Sequence, residues 1–170
     1  MAKLVVFSGL PGSGKSTLSK MYADKNNAVW LSVDPIEGVL KLNGITDGQK
    51  LGVLSYNICK TIAEENLTLN NTVVIDAVNP IEEARAIWRN IAKHHSIDLK
   101  IIECVVNDEV IHQKRIESRV RSIPGYSEIT WERVLERKNE YTPWEDERLV
   151  VPTDKSVEES FAEVEEYLTR

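Results

Sequence analysis

A glycine-rich run that ends in lysine and a hydroxyl residue is suited to wrapping backbone around a phosphate. Gly9-Leu10-Pro11-Gly12-Ser13-Gly14-Lys15-Ser16 has the spacing GxxxxGK[ST], with an apolar strand-like stretch before it and a helical one after it. In such a loop successive amides turn inward and the following helix adds positive potential, so Gly9, Pro11, Gly12, Ser13, Gly14 and Thr17 are candidates for cradling a nucleotide. Lys15 is expected to reach the β- and γ-phosphates, and Ser16 to place its hydroxyl on Mg²⁺. Three other groups could join that chemistry. Val73-Val74-Ile75-Asp76 is an apolar strand closing on a carboxylate that could sit beside the metal or could merely cap a helix. Asp34 ends a second such strand and could take a proton from an acceptor hydroxyl, or cap the helix that Pro35 begins. Arg115, Arg119 and Arg121 could fold over a transferring phosphate, or form a solvated basic face.

These residues need a scaffold that brings strand ends together, and the apolar pattern supplies one. Strands are predicted at 4–8, 28–33, 72–77, 99–106 and 149–151, and helices at 15–25, 35–42, 49–65, from 79/80 to 95, at 108–121, 129–141 and through Val157, Phe161, Val164 and Leu168. In the helix 49–65, Leu51, Leu54, Ile58 and Ile62 mark the expected buried face. Arg115 and Arg119 would share one face of the helix 108–121. Tyr141-Thr142-Pro143-Trp144 reads as a packed corner. Strands alternating with helices throughout specify an α/β fold, with a parallel sheet covered on both faces and ligands at the carboxyl ends of its strands.

Composition narrows the function classes. At 170 residues, 42% hydrophobic and 28% charged, the chain fits one domain with a real core, which excludes disordered and low-complexity classes. The 21 Lys and Arg against 27 Asp and Glu give a net charge of -6, which disfavours a nucleic-acid partner held by phosphate neutralisation. Cys59 and Cys104 lack metal or redox spacing and read as small buried hydrophobes. The apolar run 4–7 is too short for a signal-peptide core and no later run approaches a membrane span, so the expectation is a cytoplasmic protein with no membrane partner.

Together GLPGSGKST, LSVDPIEGVL, VVIDAVNPIEEAR and RIESRVR resemble the small P-loop kinases, in particular the branch with polynucleotide kinase, chloramphenicol phosphotransferase and zeta-toxin-like kinases. The resemblance implies a P-loop three-layer α/β/α sandwich with a five-stranded parallel sheet in the order 2-3-1-4-5. It implies one domain over residues 1–170 with a helical lid at about 115–127. ATP and Mg²⁺ are the implied cofactors, with transfer of the γ-phosphate to a hydroxyl of a small-molecule or nucleoside-like acceptor. By that likeness Lys15, Asp34, Arg119 and Arg121 are catalytic, and Arg115 and Thr153 flank the nucleotide. Ser16 and Asp76 hold metal, and Asp34, Asp76, Asn79 and Arg85 meet the acceptor. Val33-Asp34-Pro35 departs from the Asp-Asp-Tyr/Phe-Arg flavour of polynucleotide kinases, which disfavours a polynucleotide acceptor. A partner-regulated ATPase or switch, or a nucleotide-binding module without turnover, is the alternative. No NKxD base-recognition sequence supports a GTPase switch.

Overall fold

The computed structural model describes residues 2–170. In chain order they form β1 (Lys3–Ser8), α1 (Lys15–Lys25), β2 (Val29–Ser32), α2 (Val33–Leu42), α3 (Gly48–Thr68), β3 (Val73–Asp76), α4 (Glu82–His95), β4 (Asp98–Val105), α5 (Glu109–Ser118), α6 (Trp131–Glu140), β5 (Leu149–Pro152) and α7 (Val157–Thr169). The five strands pair in parallel in the order β2-β3-β1-β4-β5, the order that the resemblance to P-loop kinases implied. β1 is central, and its alternation explains why both faces must be covered. Leu4 and Val6 join Val73, Ile75, Cys59, Ala63, Trp88 and Ile91 on the side of α3 and α4. Val5 and Phe7 join Val74, Ile102, Leu18, Tyr22 and Val164 on the side of α1 and α7. Cys59 and Cys104 are free thiols buried in these two layers.

Register places the candidate chemistry on one edge. Phe7 and Ser32 both lie opposite Asp76, so β1, β2 and β3 end at the same level. The chain leaving β1 becomes the glycine loop, the chain leaving β2 carries Asp34 two residues on, and β3 itself terminates in Asp76.

Four local expectations are corrected. The buried stripe of α3 is Leu51, Ser55, Cys59, Ala63 and Leu67, while Ile58 and Ile62 are exposed. Small residues at every fourth position let that helix pack closely, and the Ser55 hydroxyl is satisfied by donating to the Leu51 carbonyl at 2.7 Å. α4 starts at Glu82 rather than at 79/80, because Asn79 sits at φ 50°, outside helical geometry. α2 starts at Val33 with Ser32 at the N-cap, so Asp34 lies inside the first turn and does not cap it. α5 stops at Ser118, which leaves Arg119 in extended conformation and off the helical face it was expected to share with Arg115.

Candidate active site

The glycine loop is held from outside and left open on the inside. Gly14 caps α1 at φ 83°, a left-handed turn that only glycine adopts without strain. The Pro11 carbonyl accepts from His112 Nε2 at 2.7 Å, and the Ser13 carbonyl accepts from the Thr153 hydroxyl at 2.9 Å. Burial pushes the His112 imidazole below its ordinary pKa, so it is neutral at pH 7 and carries its proton on the nitrogen facing Pro11. His112 was not anticipated from sequence, since nothing near it marks a strut. Pro11 and Ser13 are therefore anchor points, and Gly9 lets the loop pass against the Cys104 carbonyl, which a Cβ would overlap. The amides of Gly12, Gly14, Lys15 and Ser16 donate to no protein acceptor among the described residues, which leaves them to an anion.

A cavity of about 400 Å³ opens over these amides, lined by Gly12, Gly14, Lys15, Ser16 and Thr17 on one side and by Arg115, Arg119, Arg121 and Thr153 on the other. Arg115 is fixed at its rim by donating to the Thr153 hydroxyl at 3.0 Å and the Thr153 carbonyl at 2.5 Å. Arg119 and Arg121 are oriented by carboxylates. Arg121 Nη1 donates to Asp34 at 2.5 Å, and Arg119 Nε donates to Glu128 at 3.3 Å. The Arg121 guanidinium also lies 4.5 Å from the centre of the Tyr126 ring. Yet Arg119 Nη2, Arg121 Nε and Arg121 Nη2 are sealed from solvent and have no hydrogen-bond partner, Arg121 Nε only approaching the Glu128 carboxylate at 3.8 Å. Buried guanidinium N–H groups left over in a cavity floored by free amides suit an anionic ligand.

Lys15, itself 5% exposed, acts on both Asp34 and Asp76. Burial alone would raise the Asp34 pKa, but Lys15, the Arg121 ion pair and Arg119 outweigh it, so its carboxyl sits below the ordinary range and is ionised at neutral pH. Asp76 goes the other way. Burial raises its pKa despite Lys15 and the Ser16 and Ser32 hydroxyls, and its Oδ1 has no hydrogen-bond partner. A carboxylate that is 3% exposed, has one orphaned oxygen and lies beside the Ser16 hydroxyl fits a hard cation with oxygen ligands.

Two residues expected to meet the acceptor are buried and engaged with the protein. Asn79 is fully buried, its amide donating to the Ala77 carbonyl at 3.3 Å and its Oδ1 accepting from Trp88 Nε1 at 2.8 Å. Arg85, 2% exposed, donates to the carbonyls of Asn79, Pro143, Pro80 and Thr142 and stacks on Trp144 at 4.1 Å. The Arg85 side chain ties the β3 exit to the 141–144 corner, and the Asn79 side chain ties it to α4 through Trp88. That corner packs as expected, with Trp144 donating to the Tyr141 hydroxyl at 2.9 Å. Asp34 instead faces Glu37, Tyr56 and Tyr126, none of which sequence spacing singled out.

The segment carrying Arg119 and Arg121 is closed onto α2 by a glycine pair. A Cβ on Gly38 would overlap the Pro124 carbonyl oxygen, and one on Gly125, at φ 73°, would overlap the Gly38 carbonyl. Gly→Ala inside a free helix stabilises by about 1 kcal/mol. Gly38→Ala is expected to do the reverse, lowering stability by about 1–3 kcal/mol through overpacking and making 119–127 a protease-cleavable segment. Thermal melts with limited proteolysis check this, and a stabilised, resistant variant would show that the contact does not hold the segment down.

No helix of the described residues is long and apolar enough to cross a membrane. No curated protein sequence matches the chain. Among solved structures the chain is similar to a sugar kinase from Janibacter at a TM-score of 0.74 with 13% identity, covering 99% of this chain and 95% of that one. It is similar to the APS kinase of Mycobacterium tuberculosis, solved with AMPPNP and APS, at a TM-score of 0.70 with 20% identity, covering 99% and 98%. A gluconokinase from Sinorhizobium meliloti is matched at 0.69 with 17% identity, covering 99% and 92%. These likenesses establish the P-loop kinase fold that the strand order already gave. A family model described as an AAA domain matches residues 4–143, from the start of the central strand to the corner that braces Arg85, and the chain belongs to that family.

Proposed function

We propose that the chain is a kinase that moves the γ-phosphate of ATP to a hydroxyl of a small molecule. The observation that carries this reading is the set of unspent N–H groups of Arg119 and Arg121 in the same cavity as the open loop amides, with an ionised Asp34 beside them. The loop amides and Lys15 bind the phosphate chain, and Arg115 with Thr153 borders the nucleotide. Ser16 and Asp76 would hold Mg²⁺, which when bound neutralises charge on the phosphate oxygens. Asp34 accepts a hydrogen bond from the acceptor hydroxyl and aims its oxygen at the γ-phosphorus. As that oxygen bonds to phosphorus, the bond to the β–γ bridging oxygen breaks, ADP leaves, and the hydroxyl proton passes late to the Asp34 carboxylate. A pKa held below the ordinary range suits orientation and late transfer better than early deprotonation. Arg119 and Arg121 stabilise the charge spread over the transferring group.

The test is transfer of labelled γ-phosphate to a panel of sugars, hydroxy acids, nucleosides, aminoglycosides and amphenicols, with wild type beside Asp34→Asn. Asparagine keeps the size and can still accept from Arg121, but loses charge and basicity. Transfer to one acceptor class, down about 10²-fold in Asp34→Asn with AMP-PNP affinity retained, is the expected result. ATP consumption unaffected by every acceptor and stimulated by a protein partner would replace the kinase reading with a regulated ATPase.

A further inference from the structure

Beyond Asp34, on the side away from the nucleotide loop, the site contains a cation that the phosphate chemistry does not use. Asp34 and Glu37 lie three residues apart on one face of α2, so both point into the same space. Tyr56 of α3 closes that space from below, its hydroxyl accepting from the Asn79 amide at 2.9 Å. Arg137 of α6 stands near both Glu37 and Tyr56. It stands one turn after Val134, the buried residue of that helix, and its charge acts on both Glu37 and Tyr56. α6 is anchored there by Trp131, whose ring meets the His112 ring edge-on at 5.2 Å.

Arg137 is not spent on the protein. Its Nε is sealed from solvent without a hydrogen-bond partner, and among the described residues its side chain forms no ion pair within 4 Å, not even with Glu37. Arg119 and Arg121 line the nucleotide cavity, whereas Arg137 does not. The site is thus divided, with phosphate-facing arginines on one side and, beside Glu37 and Tyr56, a guanidinium whose Nε is buried without an acceptor. A buried N–H with no acceptor is costly, and a guanidinium fork matches the paired oxygens of an acid group better than it matches a lone hydroxyl.

We propose that Arg137 is the specificity residue of the acceptor pocket, and that the hydroxyl compound phosphorylated there bears a second, acidic group that Arg137 binds. This rests on the kinase reading above and extends it to the acceptor's chemistry. Carboxylate and phosphate share the required pair of anionic oxygens. Bound by Arg137, either would hold the far end of the acceptor while its hydroxyl reaches Asp34.

Transfer of the γ-phosphate is measured for wild type, Arg137→Gln and Arg137→Lys on pairs that differ only in the acid group: gluconate and glucitol, glycerate and glycerol, glucose 6-phosphate and glucose. Wild type is expected to prefer the acidic member of at least one pair about tenfold or more in kcat/KM. Arg137→Gln is expected to lose that preference through KM, and Arg137→Lys to recover part of it. The carboxylate and phosphate pairs separate the two sources of charge. Preference for the neutral members, or a preference unchanged in Arg137→Gln, overturns the proposal while leaving the kinase reading intact. A second arm needs no turnover. Inorganic sulfate is titrated calorimetrically into each protein saturated with AMP-PNP and Mg²⁺, so that the glycine loop is already filled. Saturable sulfate binding that weakens about tenfold in Arg137→Gln, with AMP-PNP affinity and melting temperature unchanged, supports Arg137. No binding to wild type, or equal binding to both, overturns it. Failure of the whole panel with AMP-PNP still bound counts against the kinase reading alone, and the sulfate arm then decides Arg137.

Discussion

Arg121→Ala is expected to lower phosphoryl transfer by about 10³-fold or more with a modest change in ATP affinity. The structure gives this arginine two jobs. Its Nη1 holds Asp34 at 2.5 Å, while its Nε and Nη2 are buried without hydrogen-bond partners, Nε only approaching Glu128 at 3.8 Å. Two variants separate these roles. Arg121→Lys keeps a counter-ion for Asp34 but loses the planar fork, so little transfer should return if the unspent N–H groups meet the phosphate. The pH profile supplies the second readout. Arg121 is one of the cations that lower the Asp34 pKa, so removing it raises that pKa, and the acid limb of kcat moves to higher pH. Transfer near wild type in Arg121→Ala, with only the acid limb displaced, would reduce the residue to a counter-ion.

Lys15→Ala is expected to cost about 10²–10³-fold in turnover, the scale of removing one preorganised charge from a transition state. Its effect on folding differs from that of an ordinary surface lysine. Lys15 is 5% exposed and is the cation shared by Asp34 and Asp76. Without it both carboxyl pKa values rise, and Asp76 already stands above the ordinary range because burial disfavours its charge. A carboxyl whose folded pKa exceeds its unfolded value destabilises the fold at higher pH and relents as pH falls through the folded value. The variant should therefore melt about 3–8 °C below wild type at pH 7. The gap should narrow as pH falls. Melting curves across pH with turnover at neutral pH check both parts. A gap independent of pH would mean that Lys15 supports the fold by packing rather than by charge.

By itself the sequence determined the sheet and the loop. Alternating strands and helices, GxxxxGK[ST] at the first strand-helix turn and Asp76 closing a four-residue apolar strand are local patterns, and local patterns fix both element type and the strand end to which each carboxylate belongs. The order 2-3-1-4-5 came with the family likeness and agrees with the observed pairing. Tertiary structure alone decided which polar groups were left unsatisfied. Asn79 and Arg85 look like ligand groups in VVIDAVNPIEEAR, but the 141–144 corner folds back 57 residues or more away in sequence and takes up the Arg85 donors. Arg121 meets Asp34 across 87 residues, and His112 reaches Pro11 across 101. Arg137 carried no signal in its own helix, because its significance is the absence of a partner in a space built from α2, α3 and α6. Spacing along a chain encodes the face on which a side chain sits. Whether a buried charge is already neutralised depends on what distant segments bring to it, and only the packed fold supplies that.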